Sequence, residues 1–325
     1  VPLQGIPLDR MRMLGHLPKK AVWSVIDMRK GFLQVPLSPK IRSYFGFLFQ
    51  SKFFQYKRCP FGWVSSMGHF QKALSITLSR IVKRLNKSTV IFYYVDDLLV
   101  GSDSTLEHLR DLDIIFSEFA RDGWKLNGEK SKWCTNSVEY LGAELCAEGV
   151  RPSNGLIRKL NELPKPECAK DLRIVEGLLL QLNRYTWRQD LIISLLNPWR
   201  KAEAAKFKTE EFGELWKTLL TSSQEKLQQL SYWKGDGILH LVVDASADGY
   251  GAALMDEEKN VVAMMSKKNK RPWSHSSEAE LDAMLEALKT FRHLTLGRQI
   301  TVYTDSWASA KMWNWRSQSP LMLRR

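Results

Sequence analysis

The chain has 325 residues, 44% of them hydrophobic and 11% aromatic, enough for two or three packed cores and too much for a disordered protein. No apolar run reaches the ~20 residues that cross a bilayer, and the first stretch, VPLQGIPLDRMRML, lacks a signal-peptide core, so an intracellular protein, cytoplasmic or nuclear, is expected. The net charge of +13 is unevenly placed: residues 1–95 hold 16 Lys and Arg against two acids, Asp9 and Asp27, and the other 230 residues are nearly balanced. Such a field concentrates polyanions. With Phe and Tyr interleaved in KIRSYFGFLFQSKFFQYKR (40–58), it points to nucleic acid, the plainer reading being a solvated basic face. Four scattered cysteines without a CxxC pair argue against a zinc or disulfide framework.

In chain order, WSVIDMRKGFLQVPL (23–37) predicts a strand ending near Asp27, then a turn and more extended chain. YFGFLFQSKFFQYKRCPFG (44–62) predicts a hairpin leading into a loop. Phe70, Leu74, Leu78, Val82 and Leu85 recur at helical intervals over 65–85. FYYVDDLLVG (92–101) predicts a tight hairpin with Asp96 and Asp97 at its tip, because aromatic and β-branched residues flank the two acids. An Asp pair is also ordinary turn chemistry, so this window alone leaves its purpose open. A helix over 106–123 with Gly123 as C-cap follows, then a short strand pair over 138–145. Helical patterns dominate 153–230. Strands return at 238–244, 250–255 and 261–266, followed by a helix over 277–294, a strand over 299–305 and a last helix from Ser306. The mixed order of that final part differs from the helical middle, which places boundaries near 150 and 236.

Asp27 closes one predicted strand and Asp96 another. If those strands are neighbours, the two acids meet at one sheet edge. Joining nucleotides needs hard oxygen ligands for two magnesium ions, which serve the attacking and leaving oxygens. The order SVIDMRKGFLQVPL, CPFGWVSSMGHFQKAL, YYVDDLLV, WKLNGEKSKW, VEYLGAEL resembles reverse transcriptases, in their motif order and with their spacing. It is similar to those of gypsy-type long-terminal-repeat retrotransposons and, around 44–62, of DIRS-type elements. The resemblance implies a right-hand palm with partial fingers and a helical thumb, an α+β architecture. It implies that Asp27, the Met28 backbone carbonyl and Asp96 hold metal and that Asp97 supports the site. Phe32 matches the steric gate against a ribose 2′-hydroxyl, though outside this motif it would read as a core Phe. Phe61 and Gly62 match the loop that packs on the incoming nucleotide and template. Lys130 matches a proton donor to pyrophosphate, or else is a surface-turn Lys. Leu141, Gly142 and Ala143 match the primer grip, where glycine lets backbone approach the primer. Trp63, Ser65, Ser66 and Met67 depart from the small and Pro residues usual after PFG.

LVVDASADGYGAAL, ELDAMLEAL and VYTDSWASA place Asp244, Glu280 and Asp305 in a pattern that resembles ribonuclease H over 238–325, an α/β fold. The resemblance implies two-metal cleavage of RNA in an RNA–DNA hybrid. Glu280 fits the family pattern better than Glu278, and His275 and Asp248 read as loop polar groups. The family's fourth acid and its His-containing loop lie beyond Arg325, and its basic fingers segment would precede Val1, so a fragment of a larger polyprotein is expected.

The expected domains are 1–150 (partial fingers and palm), 151–236 (helical thumb or connection) and 237–325 (ribonuclease H-like). The expected function is an RNA-directed DNA polymerase with attached ribonuclease H, using two Mg2+ per site (Mn2+ as substitute). Its expected partners are an RNA template, a DNA primer, RNA–DNA hybrid and deoxynucleoside triphosphates, with no membrane. The alternative is a decayed or domesticated copy that binds nucleic acid without turnover. Most of the 12 tryptophans, Trp187, Trp199 and Trp313 among them, read as packing residues.

Overall fold

The computed structural model describes residues 14–186, 189–224, 227–246, 249–269 and 275–306. Trp187, Asp248, Trp313, the helix expected after Ser306 and the first 13 residues lie outside the described residues. The chain divides into two compact units, one containing Lys20–Tyr140 and the other Leu14–Lys19 with the chain from Leu141 onward. Among the described residues no helix is long and apolar enough to cross a membrane.

The first unit is built on Val22–Met28 (β1). The Gly46–Phe49 (β2) and Lys52–Gln55 (β3) hairpin follows, turning through Gln50 and Ser51, both left-handed (φ 48° and 58°), as a two-residue hairpin loop requires. Ser66–Val82 (α1) leads to Val90–Tyr94 (β4) and Asp97–Ser102 (β5), then Thr105–Asp122 (α2), Leu126–Thr135 (β6) and Val138–Tyr140 (β7). Gly123 ends α2 at φ 77°, its N–H returning to the Ala120 and Phe119 carbonyls, as the sequence predicts.

Four strands form a sheet in the order β4-β5-β1-β6, with β1 antiparallel to both neighbours. Strand alternation sorts its faces. Ile26, Met28, Leu98 and Val100 share one face and form a core with Phe70, Leu74, Leu78 and Ile81 of α1 and Leu112, Ile115 and Phe119 of α2. Trp23, Val25 and Asp27 occupy the other face, opposite Gly101, Leu99 and Asp97. Gly101 is obligatory there, because a Cβ would lie 2.4 Å from the Trp23 ring.

Two expectations change. The extended chain predicted after Asp27 forms 3-10 turns at Gly31–Gln34 and Pro39–Phe45, the second opening on a Pro, whose fixed φ suits a first helical position. Residues 126–135, quoted above only for the motif around Lys130, form the edge strand β6.

In the second unit Ala143–Cys146 (β8) and Gly149–Pro152 (β9) form a hairpin. Asn154–Asn161 (α3), Ala169–Leu182 (α4), Gln189–Ser194 (α5) and Glu210–Gln224 (α6) follow. The Ser153 hydroxyl caps α3 by accepting from the Leu156 N–H at 3.1 Å. Leu172, Val175, Leu179, Trp199, Phe207 and Phe212 form the core of this helical part, so Trp199 is a packing residue. Leu239–Ala245 (β10), Gly249–Met255 (β11), Val261–Lys268 (β12) and Ile300–Tyr303 (β13) make a second sheet, ordered β12-β11-β10-β13, with β10 and β13 parallel. Ser276–Thr290 (α7) packs Ala283, Met284 and Ala287 onto Leu239, Leu241 and Val243. The helix predicted to run to 294 breaks at Phe291, and Arg292–Thr295 (α8) adds one separate turn.

Candidate active sites

The hairpin 92–101 is tighter than its sequence suggests. Tyr94 pairs with Asp97, so the loop is only Val95 and Asp96, and Asp97 is the first residue of β5 rather than part of the tip. Val95 sits at φ 58°, a costly conformation for a β-branched residue and one that recurs where backbone strain serves a site. Asp97 stands directly opposite Asp27 on β1. The Met28 N–H donates to the Asp96 carbonyl at 3.1 Å. Position 28/96 is therefore a hydrogen-bonded pair, and 27/97 is the closer, non-hydrogen-bonded kind, with Cα atoms about 4.5 Å apart. Alternation turns the Met28 carbonyl to the same side as its N–H, toward the Asp96 turn.

Asp27 thus faces Asp97, and Asp96 stands in the adjoining turn. The Asp97 carboxyl is pushed up to about 6 by burial first, then by the charges of Asp96 and Asp27, with Lys130 pulling the other way. Like charges set opposite one another in a sheet are destabilising, so their placement calls for a counter-charge. Among the described residues no three His, Cys, Asp or Glu side chains close on one point as a cage. Magnesium keeps several waters and is held by one or two carboxylates together with substrate phosphates, a requirement that the facing Asp27 and Asp97 with Asp96 in the next turn can meet. The donor set fits.

Phe32 follows in the 3-10 turn. Its ring meets Phe61 edge-on at 5.8 Å and Phe70 at 5.6 Å, while Phe61 is 65% exposed. Gly31 makes this possible: a Cβ there would lie 3.0 Å from the Phe70 ring and 3.4 Å from the Asp96 Cβ. Gly62 has φ 82°, which favours glycine. Lys130 lies on β6, exposed, rather than in a turn.

Leu141, Gly142 and Ala143 belong to the second unit. Leu141 and Gly142 are consecutive left-handed residues (φ 53° and 79°), Ala143 opens β8, and the Gly142 carbonyl accepts from Ser153 N–H at 3.0 Å.

The second acidic group forms at the carboxyl ends of parallel strands. The β10–β13 ladder runs to Val242 opposite Tyr303, and two residues past its end on each strand stand Asp244 and Asp305. Glu280, on α7 and only 4% exposed, accepts from the Ala245 N–H at 2.9 Å and from the Thr304 hydroxyl at 3.1 Å. Burial raises its carboxyl, the two hydrogen bonds oppose that, and the charges of Asp305 and Asp244 add to the rise. Glu278 shares the first turn of that helix without this burial.

Sequence reading missed Ser131, Thr304 and His108. Each is a small or lone polar residue whose partner is far away along the chain, and nothing local marks it.

Residues 3–145 match the family "Reverse transcriptase (RNA-dependent DNA polymerase)" and residues 236–325 match "RNase H-like domain found in reverse transcriptase". The chain is thus similar to reverse transcriptases over its first part and to their RNase H-like domain over its last. Its relatives include retrovirus-related Pol polyproteins of transposons. It is 28% identical over 305 residues to the retrovirus-related Pol polyprotein from transposon 297 of Drosophila melanogaster, covering 92% of this chain and 28% of that protein. The counterpart from transposon gypsy of the same species is 25% identical over 318 residues, covering 94% and 30%. The chain therefore spans less than a third of the length of these relatives. Among solved structures, the foamy viral protease-reverse transcriptase in complex with dsDNA superposes with a TM-score of 0.82 at 20% identity, over 100% of this chain and 68% of that one. The same enzyme in complex with RNA/DNA hybrid gives 0.80 at 20% identity, over 99% and 43%. The fold is that of a reverse-transcriptase palm with an RNase H-like domain, as the motifs imply.

Proposed function

We propose that this chain is the polymerase and ribonuclease H part of an RNA-directed DNA polymerase. In this reading residues 1–150 are partial fingers and palm, 151–236 a helical thumb or connection, and 237–325 the ribonuclease H-like domain. Its partners are an RNA template, a DNA primer, deoxynucleoside triphosphates and, for the second site, an RNA–DNA hybrid. Solved structures of similar fold bound to dsDNA and to RNA/DNA hybrid support the nucleic-acid partners. The observation that carries the reading is the facing of Asp27 and Asp97 across two strands, with Asp96 in the adjoining two-residue turn.

Asp27, Asp96 and the Met28 carbonyl would hold two Mg2+ or Mn2+ ions. Bound there, such cations favour ionisation of the primer 3′-hydroxyl and offset the charge on departing pyrophosphate. Asp97 adds negative potential that keeps cations at the site. Phe32, braced by Phe61 and Phe70, occupies the space that a 2′-hydroxyl would need. Lys130 supplies a proton to the leaving pyrophosphate. The left-handed pair Leu141 and Gly142, with Ala143, presents backbone to the primer strand. In the second site Asp244, Glu280 and Asp305 hold the cations for hydrolysis of the RNA strand, with Glu280 fixed by Ala245 and Thr304.

The test is extension of a DNA primer on RNA by the full-length protein with Mg2+. Asp96→Asn is expected to abolish extension with an unchanged circular dichroism spectrum. Extension at the parent rate by Asp96→Asn would refute the assignment.

A further inference from the structure

Strand β6 does not run evenly beside β1. Val25 pairs with Lys132 and Asp27 with Asn127, so β6 has three residues more than β1 needs between those rungs. The excess chain leaves the ladder and carries Lys130 and Ser131. Because Asp27 is at a non-hydrogen-bonded position against β5, its N–H points toward β6, whose ladder is irregular beside it. The Ser131 hydroxyl accepts from that N–H at 3.1 Å and donates to the Asn127 carbonyl at 2.6 Å. Ser131 is 9% exposed, so water competes poorly for either bond. One hydroxyl thus ties off both ends of the excursion and fastens them to the backbone of Asp27. Lys130, the residue before it, is near enough to Asp97 to act on that carboxyl.

We propose that Ser131 is a positioning residue of the polymerase site, fixing the Asp27 backbone and anchoring the excursion that carries Lys130. The proposal rests on the polymerase reading above. The experiment is single-nucleotide incorporation by the full-length protein on an RNA template with a DNA primer, with amide exchange followed in parallel. Ser131→Ala is expected to lower kcat roughly tenfold, the scale of one buried hydrogen bond, with KM for the nucleotide within about twofold. Ser131→Thr keeps the hydroxyl and is expected to recover most of the rate. Ser131→Ala with Lys130→Ala is expected to cost less than the product of the two single losses, since both act through one excursion. A Ser131→Ala enzyme at parent kcat, equal losses in Ala and Thr variants, or fully multiplicative losses would overturn the proposal. A parent protein without extension would sink the polymerase reading instead. Amide exchange then decides the positioning claim alone: faster exchange at Asp27 in Ser131→Ala upholds it, and unchanged exchange overturns it.

Discussion

Replacing Asp97 by Asn removes one charge from the carboxylate group and leaves its shape. In the folded protein the Asp97 carboxyl rises from its ordinary 3.8 to about 6. An acid raised on folding binds its proton more tightly in the native state, so stability falls as pH rises between those two values and stays reduced above them. Undiminished, that shift corresponds to about 3 kcal/mol. Asp97 is only half-buried, and screening by solvent brings this to about 1–1.5 kcal/mol. Asp97→Asn is therefore expected to stabilise the protein without added metal by that amount at pH 7.5, read as a melting midpoint about 2–5 °C higher. The Tyr140 hydroxyl donates to the Asp97 backbone carbonyl (3.4 Å), a contact the substitution does not touch. Near pH 5 about half the gain should remain, and near pH 4 little, because Asp97 is then protonated in both states. Millimolar Mg2+ should raise the parent midpoint more than that of the variant, since it binds the folded carboxylates. Thermal melts by circular dichroism across pH 4–8, with and without Mg2+, measure all of this. Equal midpoints at pH 7.5, or a difference that does not shrink on acidification, would refute the reasoning.

Phe32→Val opens the space beside the incoming sugar; discrimination against ribonucleotides in single-nucleotide incorporation should fall roughly 10–100-fold. Glu280→Gln keeps an acceptor for the Ala245 N–H but loses the charge; hybrid cleavage should fall at least a hundredfold, on the order expected when a charged group is lost from a dry site, with primer extension unchanged in the same preparation. His108 is fully buried, with one ring nitrogen 2.7 Å from the Ser24 hydroxyl and the other 2.8 Å from the Ser102 hydroxyl. His108→Phe leaves both hydroxyls short of a partner and should cost about 2–3 kcal/mol in urea unfolding. Burial lowers the His108 ring below its ordinary 6.5, Asp111 opposing. Acidification through 6.5 protonates the unfolded chain first and removes stability, and His108→Phe should flatten that slope.

Asp27 and Asp96 were legible because each closes an apolar, β-rich run, and runs of that kind set their own register. Gly123 was legible for a local reason too, as a glycine one residue past an amphipathic helix. Strand β6 was not. LNGEKSKWCT is largely polar, and as an edge strand with an irregular ladder it has no apolar alternation to display. The 3-10 turn after Asp27 was hidden similarly, since GFLQ reads equally well as extended chain until Phe32 finds Phe61 and Phe70. Ser131, Thr304 and His108 act through partners such as Asp27, Glu280 and Ser24, which lie 104, 24 and 84 residues away, and only the fold brings them together. Glu280 shows the mixed case: its type and spacing resemble the family, but its burial and two hydrogen bonds are tertiary facts.

The central claim is that Asp27 and Asp96 hold divalent cations side by side, and iron-directed cleavage addresses it most directly. Fe2+ substituted for Mg2+, with ascorbate and peroxide, cuts backbone next to wherever it is bound. The account predicts cuts near residue 27 and near residues 96–97, suppressed by excess Mg2+ and lost in Asp27→Asn and Asp96→Asn. Cuts confined to other parts of the chain, or unchanged in both variants, would contradict it.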